Sequence, residues 1–202
     1  MHKIFSTNIC SIQNVKQMKN IVLFASGSGT NVENIIRFFD KSTSDIRVSR
    51  VFTNNSDAGV IERSKKYNVP VTVFDKETFN SKSFLNQIES PDLIVLAGFL
   101  WLIPEYLINA FPDKIINIHP ALLPKYGGKG MYGSKVHESV IENGEQQSGI
   151  TIHFVNKKYD EGEIILQAYC KIDKNDDADK LARKIHKLEY AYFPVSIQSL
   201  LI

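Results

Sequence analysis

The chain has 202 residues, 43% hydrophobic and 23% charged, which suits one globular domain with a substantial core and argues against disorder. The formal net charge is +2, but Lys3, Lys16 and Lys19 lie in an opening stretch without acids, so the rest is near neutral. No Lys/Arg block is set to neutralise a run of phosphates, which argues against a nucleic-acid partner. The cysteines, Cys10 and Cys170, form no CxxC or Cys/His pattern that would hold zinc, and a reducing, cytoplasmic setting is expected. No apolar run is long enough to span a bilayer, and the opening segment lacks the apolar centre of a secretory signal. Residues 1–18 read as a dispensable extension before a single domain at 19–202.

In chain order, Asn20 to Ala25 reads as a strand, Ser26 to Asn31 as a turn of small residues, and Val32, Ile35, Ile36 and Phe39 as the apolar face of a helix. Arg47 to Thr53 is the next strand, followed by a helix over about Ala58 to Tyr67, a strand at Val71 to Phe74 and a helix over about Lys76 to Glu89. Asp92 to Ala97 is the most apolar strand and is expected at the sheet centre, buried on both faces. A short helix within Trp101 to Phe111, started near Pro104, precedes another buried strand, Lys114 to Ile118, and the glycine-rich stretch Pro124 to Ser134 reads as a long surface loop. Gly149 to Val155 and Glu163 to Tyr169 flank a charged turn and suit an antiparallel pair. The last helix starts near Asp176, with Leu181, Ile185, Leu188 and Tyr192 on one face. Alternating strands and helices predict an α/β fold: a Rossmann-like, mostly parallel twisted sheet with helices on both faces, an antiparallel C-terminal strand pair and a final helix.

Four stretches carry residues suited to chemistry. Ser26-Gly27-Ser28-Gly29-Thr30-Asn31 joins a strand to a helix, where free N–H groups and the helix dipole favour an anion; an ordinary tight turn is the alternative. It is neither a dinucleotide fingerprint, since Val32 fills the third glycine position and Thr53-Asn54-Asn55 offers no acid, nor a Walker loop, since no Gly-Lys-Ser/Thr follows. Asn117-Ile118-His119-Pro120 follows a buried strand, and Asn117 and His119 share one side, so both can address one carbonyl oxygen. Asp160-Glu161-Gly162-Glu163 gathers carboxylates in a turn, from which Asp160 beside His119 would favour the imidazolium and raise its pKa. Leu96-Ala97-Gly98-Phe99-Leu100-Trp101 could surround a flat ring. Each has a structural alternative: a capping Asn, a hydrogen-bonded His, a solvated acidic turn, a packed core segment.

Taken together, these residues resemble the glycinamide ribonucleotide formyltransferase family. The resemblance runs from about Lys19 to Pro194 through Ile21 to Asn31, Leu96-Ala97-Gly98-Phe99, Ile116 to Tyr126, Gly149 to Val155, Asp160 and Ile164-Ile165-Leu166-Gln167. It implies transfer of a formyl group from 10-formyltetrahydrofolate, a co-substrate, to the amine of glycinamide ribonucleotide, with no metal, in a monomer or homodimer. By position it implies a catalytic trio of Asn117, His119 and Asp160, a ribonucleotide-phosphate loop of Gly29, Thr30 and Asn31, and a substrate-binding acid at Glu189. It further implies a folate pocket along Leu100, Trp101, Leu102 and Ile103, closed by the Asp160 turn, with Lys82 as a basic folate contact. Related tRNA-formylating and folate-hydrolysing enzymes fit less well, because Lys125-Tyr126-Gly127-Gly128 is not a basic loop and Pro120 stands where the hydrolases carry a second histidine.

Overall fold

The computed structural model describes residues 17–202, so most of the 1–18 segment, Cys10 included, lies outside the described residues. Seven strands form one sheet in the order β3-β2-β1-β4-β5-β6-β7, with β1 at Lys19–Phe24, β2 at Ile46–Thr53, β3 at Val71–Val73, β4 at Leu93–Leu96, β5 at Ile115–His119, β6 at Gln147–Phe154 and β7 at Ile164–Lys171. β1 to β5 are mutually parallel; β6 runs antiparallel to β5 and β7 antiparallel to β6. The apolar strand β4 is fourth of seven, at the centre of the sheet.

Alternation along the strands divides the core between two faces. Ile21, Leu23, Val95 and Ile116 point to one side, where they meet α1 (Thr30–Lys41), α2 (Val60–Lys65), α6 (Ser134–Glu142) and the long α7 (Ala178–Leu201) through Val32, Val60, Val140, Leu181 and Ile185. Val22, Phe24, Ile94 and Leu96 point to the other, against α3 (Lys76–Asn80), α4 (Leu85–Ile88) and α5 (Glu105–Ala110). That second face is aromatic: Phe24 stacks on Phe52 at 4.8 Å between ring centroids and meets Phe74, Phe79, Phe84 and Phe99 in edge or tilted contacts.

Several helices are shorter than their apolar spacing predicts, for local reasons. The stretch read as one helix from Lys76 to Glu89 is α3, a 3-10 turn at Lys82–Phe84, and α4. Ser81 is extended there, and its hydroxyl accepts from Ser83 N–H, ending one turn and starting the next. The short helix expected within Trp101 to Phe111 begins at Glu105, next to the expected start at Pro104, which disfavours helical backbone at the residue before it and occupies the cap itself. Residues 100–103 therefore stay irregular. α6 was not expected, although Val136, Val140 and Ile141 carry a helical spacing that the glycine-rich segment before it obscured.

The last helix continues through Pro194, which cannot donate to the carbonyl of Tyr190. That freed oxygen accepts instead from Asn34 Nδ2 at 3.0 Å, so the irregularity in α7 becomes a tie to α1. One turn earlier on α1 and one residue earlier on α7, Asn31 Nδ2 donates to Glu189 Oε2 at 2.9 Å. The two bonds register α7 against the N-terminal half of α1.

Candidate active site

The strand order reverses direction at β1, with β2 on one side and β4 on the other, so the loops leaving the carboxyl ends of β1 and β4 part there and open a crevice. Two bonds hold its edges: Ser26 N–H donates to Gly98 O at 3.0 Å and Leu100 N–H to Ser26 Oγ at 3.0 Å. The crevice widens into a cleft of about 600 Å³. Its walls include Gly29, Thr30 and Asn31, the segment Leu96 to Ile103, Asn117, His119, the loop Gly128 to Gly133, Asp160 and Glu189. Every residue to which the resemblance gives a role lines this cleft except Lys82, which lies on the 3-10 turn outside it.

One end is the N-terminus of α1. Gly29 caps the helix in the left-handed region at φ 76°, and no side chain closes the cap, so the first N–H groups are directed outward. The turn is braced from α2: Val60 N–H donates to Gly27 O at 3.2 Å, Arg63 Nε donates to Ser28 O at 2.9 Å, and the Arg63 guanidinium pairs with Glu33. Beside it Glu189 is 7% exposed, and burial pushes its carboxyl above the usual range against the opposing effects of Asn31 and His186. It is set to share hydrogen bonds with hydroxyl groups.

The other end is polar and nearly closed. Asn117 and His119 project from one side of β5; His153 on β6 stands opposite Asn117 in the register. Asn117 Nδ2 lies 3.1 Å from His153 Nε2, and His153 Nδ1 lies 2.8 Å from Phe154 O, a carbonyl that can only accept. This places the neutral ring's proton on Nδ1 and leaves Nε2 to accept from the amide, which fixes the Asn117 orientation. The second amide hydrogen faces Asp160 Oδ1 at 3.5 Å, the limit of a hydrogen bond, and is available to a ligand. His119 Nε2 donates to Tyr126 O at 2.7 Å, and its Nδ1 stands 3.6 Å from Asp160 Oδ2.

Asp160 sits in the β6–β7 turn with φ 55°, and Gly128 N–H donates to its Oδ2 at 2.9 Å. Gly162 lets this turn fold over β6, since a Cβ there would fall 1.6 Å from Phe154 O. Burial raises the Asp160 pKa, but His153, His119 and the Gly128 N–H together hold the carboxyl below its ordinary value, so it stays a carboxylate. For His119 the balance differs from the expectation of a raised pKa. Burial dominates and lowers it, although Asp160 and the Tyr126 carbonyl both favour the charged ring. Asp160 alone does not offset the loss of water around a side chain that is 4% exposed.

Three histidines of the cleft were not among the expected site residues: His153, His137 on α6 and His186 on α7. His153 was visible on the strand before Asp160, but its place opposite Asn117 depends on the antiparallel register. His137 is 5% exposed, and burial, with His186 and His119 nearby, lowers its pKa to about 4. Its neutral form is thus favoured by folding, so stability is full above the ordinary histidine value of about 6.5 and declines as pH falls from there toward 4. Denaturant titrations are expected to show a loss of roughly 2 kcal/mol across that window, mostly absent in His137→Gln; equal pH slopes for both proteins would rule the linkage out.

Comparison with known proteins agrees with this architecture. The formyl transferase family model matches residues 19–197. A phosphoribosylglycinamide formyltransferase of Bacillus subtilis is 34% identical over 191 residues, covering 91% of this chain and 95% of that protein. A chloroplastic phosphoribosylglycinamide formyltransferase of Arabidopsis thaliana is 40% identical over 182 residues, covering 84% of this chain but 62% of the relative; the chain spans about three fifths of the length of such plant relatives. Among solved structures, glycinamide ribonucleotide transformylase 1 of Geobacillus kaustophilus superposes with a TM-score of 0.83 at 32% identity, over 92% of this chain and 100% of that one.

Proposed function

Because the chain belongs to the formyl transferase family, we propose that it moves a formyl group from 10-formyltetrahydrofolate to the amine of glycinamide ribonucleotide, giving the formylated ribonucleotide and tetrahydrofolate in purine synthesis. The observation that carries this reading is the convergence of Asn117, His119 and Asp160 with the N-terminus of α1 in a single cleft. Anion-binding N–H groups at one end and oxyanion donors at the other suit an acceptor that bears a phosphate and a reacting amine.

In this reading Gly29, Thr30 and Asn31 hold the phosphate, and Glu189 accepts hydrogen bonds from the ribose hydroxyls. Residues 100–103, kept out of the helix by Pro104, offer backbone groups and apolar side chains to the pterin. Fixing both substrates makes attack of the amine nitrogen on the formyl carbon effectively intramolecular. The free amide hydrogen of Asn117 and, once His119 has taken a proton from solvent, its Nδ1–H stabilise the oxyanion that forms as the new C–N bond is made. Asp160 and the developing negative charge together favour that imidazolium against burial. The carboxylate also directs transfer of the amine proton to the folate nitrogen, whose bond to the formyl carbon then breaks.

We propose this chemistry for the unit at 19–202, acting in the cytoplasm as a monomer or homodimer, with residues 1–18 dispensable and no metal required. Lys82 as a folate contact draws no support from its position outside the cleft. The test is absorbance-followed conversion of 10-formyltetrahydrofolate by the purified protein. Conversion that depends on glycinamide ribonucleotide supports the transferase; equal conversion without it makes the protein a hydrolase; none in either case sends the search to another amine.

The pterin assignment has its own check. Trp101 is the only tryptophan and packs edge-on to Phe74 and tilted to Phe79, with ring centroids 6.0 and 5.8 Å apart. Folate binding is expected to change its emission intensity by about a third or more, since the ring lines the pocket and would lose water there. Saturable folate binding by dialysis with unchanged emission would move the pterin elsewhere.

A further inference from the structure

His137 has no role in the reaction as described, yet it is placed as a ligand would require. It lies in the first turn of α6 with its ring against the cleft, 5% exposed, and its Nδ1 has no hydrogen-bond partner. Buried polar atoms are nearly always paired, so an unpaired ring nitrogen in a cleft wall points to a partner that arrives with the ligand. A second such atom is Asn31 Oδ1, on the α1 side of the same cleft, whose amide nitrogen is already committed to Glu189.

The surroundings narrow the chemistry. His137 is approached by His119 from β5, His186 from α7 and Glu138 from its own helix, and Glu189 of α7 lines the same cleft. The His137 ring resists charging, because burial takes it out of solvent and a proton would be added close to His186 and His119. A phosphate dianion reverses both effects: it supplies the opposite charge and accepts from either ring nitrogen.

We propose that His137, flanked by His186, forms the wall of the anion subsite facing the N-terminus of α1, and that it takes up a proton when the ribonucleotide phosphate enters. This rests on the ribonucleotide reading above. His137 is then a substrate-binding residue whose charge appears only in the complex, so affinity for the acceptor strengthens as pH falls toward 6. Asn31 Oδ1, an acceptor, is left for a ribose hydroxyl.

The test is calorimetric titration of the wild-type protein with glycinamide ribonucleotide, and separately with inorganic phosphate, without folate. Each titration is run between pH 6 and 8 in two buffers of different ionisation heat. The expected result is uptake approaching about one proton per ribonucleotide near pH 6, fading by about pH 8. His137→Gln should bind with little uptake and raise the ribonucleotide KM about tenfold or more, with kcat changed far less. His186→Gln, on an exposed position of α7, tests the flanking role without risk to the core and should reduce the uptake in part. Binding without proton uptake in the wild type, or unchanged uptake in His137→Gln, overturns the proposal. If inorganic phosphate binds with uptake and the ribonucleotide does not bind, the anion subsite stands and the ribonucleotide reading falls.

Discussion

Asp160→Asn is expected to lower turnover by about a hundredfold to a thousandfold while leaving folate binding within a few-fold of wild type. The substitution keeps size and can keep the Gly128 N–H bond through its carbonyl oxygen, so the turn that carries it should fold. What it removes is the negative charge 3.6 Å from both His119 Nδ1 and His153 Nε2. Burial already lowers the His119 pKa, and without the carboxylate nothing comparable favours the imidazolium when the oxyanion forms. His119→Ala should fall as far or further by deleting the donor itself, and the double variant should be little worse than the worse single one, because the two residues act as a unit. Steady-state kinetics with saturating ribonucleotide decide it: full turnover in either single variant would refute the assigned roles, and additive losses would refute the coupling between them.

Gly29→Ala is expected to cost about 3 kcal/mol or more of stability and to abolish measurable ribonucleotide affinity. The backbone there is at φ 76°, which an L-residue adopts at a penalty of about 1–2 kcal/mol. The added Cβ would also fall 2.5 Å from Val60 Cβ and 2.6 Å from its Cα. Since part of that overlap is with backbone, no side-chain rotation relieves it, and α2 must move away from the loop. The Val60 N–H to Gly27 O bond then breaks and the Arg63 brace on Ser28 shifts, so the N–H groups proposed to hold phosphate lose their arrangement. Denaturation midpoints and ribonucleotide titrations report on the two effects separately. A variant as stable as wild type would mean that α2 yields easily, and unchanged affinity would place the phosphate elsewhere.

The fold was legible in the sequence because its determinants are local or periodic. β1, β4 and β5 are near-continuous apolar runs, and helical spacing separates the first five strands, which specifies a parallel sheet covered on both faces; the charged turn at Asp160 marks the junction of the strand pair β6–β7. The glycine-rich strand-to-helix turn, the Asn117–His119 alternation and the acid at Asp160 were visible as residue types suited to chemistry, and family resemblance joined them. Helix ends were less legible where only capping marks them, since Ser81 breaks a helix in a way that apolar spacing does not register, whereas Pro104 marked the start of its own.

What only the tertiary structure decided are the relations between distant elements and the electrostatics that follow from burial. His153 meets Asn117 because of the β5–β6 register, Lys82 falls outside the cleft on a 3-10 turn, and His137 enters it on a helix hidden behind glycines. The direction of the His119 pKa could not be read from its neighbours in sequence, because it depends on how much water the fold removes as well as on which carboxylate it brings near. Residue order thus determined which groups this protein has for binding an anion and an oxyanion; three-dimensional packing determined which of them face one another, and with what charge.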